Sequence, residues 1–246
     1  MKTNLRIELY KFIHQKNGLW GLLVLPLLMI YSGQTTRLSS QLITFEFGAP
    51  QWITLILIAV GSAFLSMEYR YRTIVPLVYK STSKRAIYGA KLIVILGYGL
   101  LLTVVSALIT MILKPIFTGD RYPWTPQLVQ TVLINNTSTL LYSFFLITLA
   151  FMLLMVIQVN AAVIGIGLII VFWGASLSVA IIKTFSSLAG ILKWNPFNMV
   201  FVTQQLSSPA YADLSLLTNS QLVLGTLVYS IIFLIIGYHQ FKVRAI

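Results

Sequence analysis

The chain of 246 residues has no cysteine, only five acidic residues and only two histidines. Without cysteine there is neither a disulfide nor thiolate chemistry, so nothing here sets the redox compartment. His14 and His239 stand near opposite ends with no His, Cys or carboxylate neighbour at ligand spacing, which argues against a metal centre. No GxxxxGK[ST], HExxH or GxSxG pattern occurs, which excludes a phosphate-cradling loop, a zinc-protease helix and a nucleophile elbow. What remains is apolar. Hydrophobic residues make up 58% of the chain and charged ones 9%, with a mean hydropathy of +0.88, outside the range of a soluble domain. This is the composition of an all-α integral membrane protein.

The net charge of +12 comes in short groups beside apolar runs, not along one helix face or in a tail. Such grouping fits anionic lipid headgroups and membrane topology, and argues against nucleic acid. The densest group is residues 68–91, EYRYRTIVPLVYKSTSKRAIYGAK, which holds six of the 17 Lys and Arg residues between two uncharged apolar runs. The positive-inside bias places it in the cytoplasm. Its inner part, residues 73–79, is apolar enough to form a short helix against something other than water, as a docking element for a soluble partner would.

Residues 1–16 set Leu5, Leu9, Phe12 and Ile13 at helical spacing among Lys2, Arg6, Lys11 and Lys16, the pattern of an amphipathic interfacial helix. It anchors the first span, with or without touching a cytoplasmic partner. A cleaved signal peptide is disfavoured because the basic part is long and contains Glu8. Spans are expected at 17–35 (interrupted by Pro26), 51–67, 92–113, 139–157, 161–182 and 222–238. Lys114-Pro115 should stop the third, and 117–135, with Gly119, Asp120, Pro123, Trp124 and Pro126, should be an external loop. Gln158, Val159 and Asn160 leave room only for a tight hairpin. Ala161 and Gly165 are spaced small-xxx-small, which would allow close helix approach, although glycine is frequent in membrane helices anyway.

Residues 184–221 are too apolar to be disordered. Short helices over 185–192 and 197–206, around Lys193-Trp194-Asn195-Pro196, would dip into the outer leaflet and return. Six spans put both termini on one side. Twelve basic residues lie in the N-terminal segment, 68–91 and the C-terminus against five elsewhere, which makes both termini cytoplasmic. Within these boundaries no ionisable side chain enters a span, only hydroxyls such as Thr103, Ser106, Thr110, Ser143, Thr148, Ser178, Thr226 and Ser230. That argues against an ion-driven transporter or pump.

Four features recur in order: Ile7-Glu8-Leu9-Tyr10-Lys11 leading through Pro26; the acidic end of the second span followed by Thr73-Ile74-x-Pro76-Leu77; Lys84-Arg85 and Lys91 before the third span; and Trp194-Asn195-Pro196-Phe197 before the sixth. With the six-span layout, the whole chain resembles the permease subunit of ABC-2 type exporters. It is especially similar to small permeases of lantibiotic immunity and antimicrobial-peptide export in Gram-positive bacteria. It departs from them at Arg72, where a glycine often precedes the threonine.

The resemblance implies two six-span subunits, the same or related chains, forming the pathway in a plasma membrane. Two separate ATP-binding subunits, carrying ATP and Mg, would dock on the cytoplasmic face, leaving this chain no catalytic, cofactor or metal residues. A coupling helix between spans 2 and 3 would seat Ile74, Val75, Leu77, Val78 and Tyr79 in the ATPase, positioned by Glu68 and Arg72. Glu8 and Lys11 would add contacts, and Asn195 and Pro196 would lie at the external gate. The cargo would be antimicrobial peptides or drugs. The alternative is a stand-alone secondary transporter or channel; for an outer-surface enzyme using Glu46 or Asp120 no constellation of roles can be assembled.

Overall fold

The computed structural model describes residues 2–71 and 83–244. Arg72, Ile74, Val75, Leu77, Val78 and Tyr79, the expected coupling residues, lie outside them, except that Glu68 is described. Among the described residues the regular structure is helical and no strand occurs. The α-helices are α1 (Lys2–His14), α2 (Asn17–Thr35), α3 (Ser40–Thr44), α4 (Ala49–Arg70), α5 (Lys84–Thr118), α6 (Pro126–Ile157), α7 (Asn160–Thr184), α8 (Ala189–Leu192), α9 (Val202–Gln205), α10 (Ala212–Ser215) and α11 (Asn219–Arg244). Six of them, α2, α4, α5, α6, α7 and α11, are long and apolar enough to cross a membrane. The chain is a multi-pass helical membrane protein.

Five of the six spanning helices outrun their expected boundaries, α5 and α6 by the most. Pro115 does not stop α5, which continues to Thr118 and ends at Gly119 with φ +52°. A proline in the final turn removes one backbone bond where the helix is ending anyway, so the break is small. The expected loop over 117–135 shrinks accordingly. Thr125 caps α6 by accepting from the Leu128 amide at 3.2 Å, and Pro126 occupies the first turn, where its missing N–H is not needed. These turn formers are helix-start signals. The α6–α7 hairpin follows the sequence, with Gln158 left-handed (φ +62°) and its N–H on Leu154 O.

Helices α4 and α6 form the centre. Ile53, Leu57, Phe64 and Leu65 of α4 are buried with Leu25 and Met29 of α2 and Ile95 and Leu102 of α5. A second cluster joins Phe145 and Leu146 of α6 to Ile170 of α7, Phe233 of α11 and Met199. Gly237 lets α11 approach α6 so closely that a Cβ there would stand 3.2 Å from the Met152 Cα. Gly165, by contrast, has open space around it, so the small-residue spacing on α7 is not a contact within this chain.

Lys84 Nζ donates to Lys242 O at 3.2 Å, and the Tyr88 ring lies 5.7 Å from Phe241, so α5 begins where α11 ends. Helix α1 packs at this same basic end. Its Phe12 meets Phe64 edge-on at 5.3 Å and Tyr98 at 5.0 Å. The apolar stripe expected on α1 therefore divides: Leu5 and Phe12 face the bundle, whereas Leu9 and Ile13 point outward. At the opposite end, residues 186–215 form a run of short helical turns, as expected, with a further pair around α10.

Candidate functional site: a charge ring at one end, polar knots at the other

Glu8 and Lys11 are one turn apart on α1 and both turn toward α4 and α5. Lys11 Nζ lies 2.8 Å from Glu8 Oε1 and 2.9 Å from Glu68 Oε1. Lys91 Nζ lies 2.6 Å from Glu8 Oε2 and 2.9 Å from Glu68 Oε1. The four groups close a ring of alternating sign across three helices. Glu8, Glu68 and Lys91 are 2–3% exposed, while Lys11, at 27%, forms the rim. The Phe64 ring sits 4.6 Å from Lys91 Nζ and covers it. Any one of these charges alone would cost several kcal/mol to bury; together they compensate one another.

Burial works against the Lys11 ammonium, but its bonds to Glu8 and Glu68 outweigh that and hold its pKa above the ordinary lysine value. A raised lysine keeps its contribution at all lower pH and loses it only on rising through the raised value. Lys11 is therefore charged across the physiological range.

No ionisable group was expected within the drawn span boundaries, and the helices extend beyond those boundaries. The boundaries at 67 and 92 left Glu68 and Lys91 just outside the spans, but α4 and α5 run through both residues. Glu8 and Lys11, expected to reach a partner, are engaged within the chain, as is the Glu68 carboxylate. Lys91 was not singled out as a site residue. One signal was available: Glu8 and Glu68 are two of only five acids, each set among basic residues, and Glu68 stands at the end of an apolar run.

The opposite end holds two polar knots. In the first, Glu46 is 2% exposed, with Ser106 Oγ 2.6 Å from its Oε2 and Asn136 Nδ2 donating to its Oε1 at 2.8 Å. Asn135 Nδ2 donates to Thr44 O at 2.7 Å and fixes the preceding turn to α6. Lys114, also buried, rests its Nζ 4.9 Å from the Trp124 ring.

The second knot holds the short turns before α11. Asn195 Oδ1 accepts from the Asn198 amide at 3.1 Å, and its Nδ2 donates to Leu192 O at 2.7 Å, with Pro196 in the first turn behind it. Asn198, fully buried, donates from Nδ2 to Lys193 O (2.6 Å) and Ser215 O (2.7 Å) and accepts from Ser178 Oγ at 2.9 Å. Ser215 Oγ donates to Gln205 Oε1 at 2.6 Å. The expected pair Asn195 and Pro196 thus lies at the edge of a knot centred on Asn198, which sequence inspection did not pick out. Asn198→Ala strands those partners and is expected to cost about 2–3 kcal/mol, seen as a lower unfolding temperature of the purified chain.

Buried charges collected at the ends of an otherwise apolar six-helix bundle define a polytopic membrane protein with ties between its helices at both faces. Residues 8–246 match the family described as "Protein of unknown function (DUF2705)", and the chain belongs to that family. No curated protein shows significant similarity to it.

Proposed function

We propose that this chain is the permease subunit of an ATP-driven ABC exporter, coupled to a separate ATP-binding subunit and serving export of, or immunity to, antimicrobial peptides or drugs. The observation that carries the reading is the charge ring. Helix α4 ends at Arg70 and α5 begins at Lys84, and Glu68 and Lys91 join them directly while Glu8 and Lys11 add α1. A force applied to the segment between α4 and α5 then acts on three helices as one body. That is what a coupling element needs, since a partner shifts the permease only by favouring one of its states.

In this reading the basic end faces the cytoplasm, by the positive-inside bias. Leu9 and Ile13 of α1 lie in the headgroup boundary of the inner leaflet, and Ile74, Val75, Leu77, Val78 and Tyr79 dock on the ATPase beside Arg72. ATP and Mg belong to that partner, and a second permease, the same or a related chain, completes the pathway in the plasma membrane of a Gram-positive bacterium. The Asn195–Asn198 knot holds the outer turns that open or seal the exit.

The test is purification of the tagged chain from native membranes in mild detergent. A nucleotide-binding protein is expected to accompany it, and Leu77→Asp is expected to abolish that association while leaving membrane insertion intact. A chain that purifies alone from several detergents would remove the ATPase partner. The buried Glu46 then favours the second reading, an ion-driven transporter, which should work in vesicles without ATP.

A further inference from the structure

Between α2 and α4 the chain folds back into the bundle, with Ile43 and Phe47 fully buried. Its last turn is strained: Glu46 (φ +48°), Phe47 (φ +53°) and Gly48 (φ +79°) are left-handed in succession. Side-chain residues hold such angles only where their surroundings enforce them. Here the enforcing contacts are the Phe47 ring, 5.7 Å from Phe117, and the Glu46 carboxyl on Ser106 and Asn136.

Among the described residues, the surroundings of Glu46 hold no compensating charge. Helices α2, α3 and α6 carry no charged residue, and their tyrosines are Tyr31, which is exposed, and Tyr142, six residues along α6 from Asn136. On α4 the charged residues, Glu68 and Arg70, lie at the basic end. On α5, Lys84, Arg85, Lys91 and Tyr98 lie toward the basic end, and Lys114 is two turns beyond Ser106, with its Nζ over Trp124. Arg37, Asp120 and Arg121 are exposed. Among the described residues Glu46 has no salt bridge, and no backbone N–H of α4 reaches its carboxyl.

Proton counting favours the neutral form. Ser106 Oγ lies 2.6 Å from Glu46 Oε2 and 2.8 Å from Thr103 O, and a hydroxyl has one proton to donate. If Oε2 carries a proton, it donates to Ser106, Ser106 donates to Thr103 O, and Oε1 accepts from Asn136. Every group is satisfied and no net charge is buried. If Glu46 is ionised, Ser106 must abandon Thr103 O, and a negative charge remains in the bundle on two neutral donors.

We propose that Glu46 is a proton-binding site and that its proton latches the 36–48 segment onto α5 and α6. Release of that proton to water at this end of the bundle leaves an uncompensated carboxylate. The carboxylate turns out to solvent, the three left-handed residues relax, and Ile43 and Phe47 are uncovered. The latched state holds one proton more than the open state, so the opening equilibrium rises about tenfold per pH unit above the range of a free carboxyl. The latch requires no partner protein and stands or falls apart from the exporter reading.

Infrared spectra of the full chain in lipid vesicles at neutral pH are expected to show a protonated carboxylic acid band that is missing in Glu46→Gln; its absence from the unsubstituted chain overturns the proton site. Because the protein has no cysteine, Ile43→Cys supplies a unique thiol, with Leu42→Cys as a second reporter on the same segment. Glu46→Gln keeps a donor for Ser106 and an acceptor for Asn136, and so stays latched. The ratio of thiol labelling with Glu46 present to that with Glu46→Gln is expected to climb about tenfold per pH unit, while the reporter's own titration cancels. A ratio that stays flat with pH overturns the latch.

Discussion

Glu8→Ala is expected to release α1 from the bundle and to destabilise the protein by about 3–5 kcal/mol, the range for removing one partner of a buried ion pair. Glu8 accepts from both Lys11 and Lys91, so its loss leaves two ammonium groups sharing Glu68. Lys91, 3% exposed, cannot recover hydration without moving. In a chain of this size the loss corresponds to a fall of about 10 °C in unfolding temperature, measurable on the purified chain in detergent. Pairing is the cause, and a second variant shows it. Glu8→Gln with Lys91→Met removes one charge of each sign and leaves Lys11 on Glu68, so the double variant should lose much less than the sum of its single changes. Additive losses would mean that the ring contributes packing alone.

The second large effect is expected at the α6–α11 contact. Gly237→Leu places a branched side chain where a Cβ alone would meet Tyr88 Oη at 2.6 Å and the Met152 backbone at 3.2 Å. The tyrosine tip can give way; the Met152 backbone, inside a helix, cannot. Gly237→Ala should cost about 1–3 kcal/mol through overpacking, and the leucine variant more, by forcing α11 off α6. Gly165→Ala is the control. Open space surrounds that position, and replacing a helical glycine there should be neutral or gain up to about 1 kcal/mol. Thermal unfolding of the three variants separates close helix approach from glycine's general frequency in membrane helices.

The order and number of the spans were legible because hydropathy is a local sum: about twenty apolar residues in succession have no stable place but lipid. Helix ends were less legible at 115 and 126, where proline reads equally as a stop or a start and the cap decides which. The short turns of 186–215 could be anticipated from apolar runs broken by Lys193-Trp194-Asn195-Pro196, but not the central place of Asn198, whose partners lie on either side of it at Lys193, Ser215 and Ser178. On α1 the hydrophobic stripe pointed to one face, and the structure divided it, with Leu5 and Phe12 inward and Leu9 and Ile13 outward. Glu8 and Lys11 had opposite charges waiting at Glu68 and Lys91, and a compensated buried ring prevailed over exposing Glu8 with the other polar residues.

By itself, then, the sequence determined the class of molecule: a helical membrane protein with six candidate spans, no cysteine and one strongly basic segment between the second and third. Only the tertiary structure decided where its few acids act. Glu46 and Glu68 sit beside the end of an apolar run and Glu8 lies within a basic amphipathic segment, places where sequence reads them as exposed charges. Burial depends on how the helices are rotated and how far they extend. Those relations, set by packing among residues tens of positions apart, join Glu8 and Glu68 to lysines and, among the described residues, set Glu46 against the neutral Ser106 and Asn136.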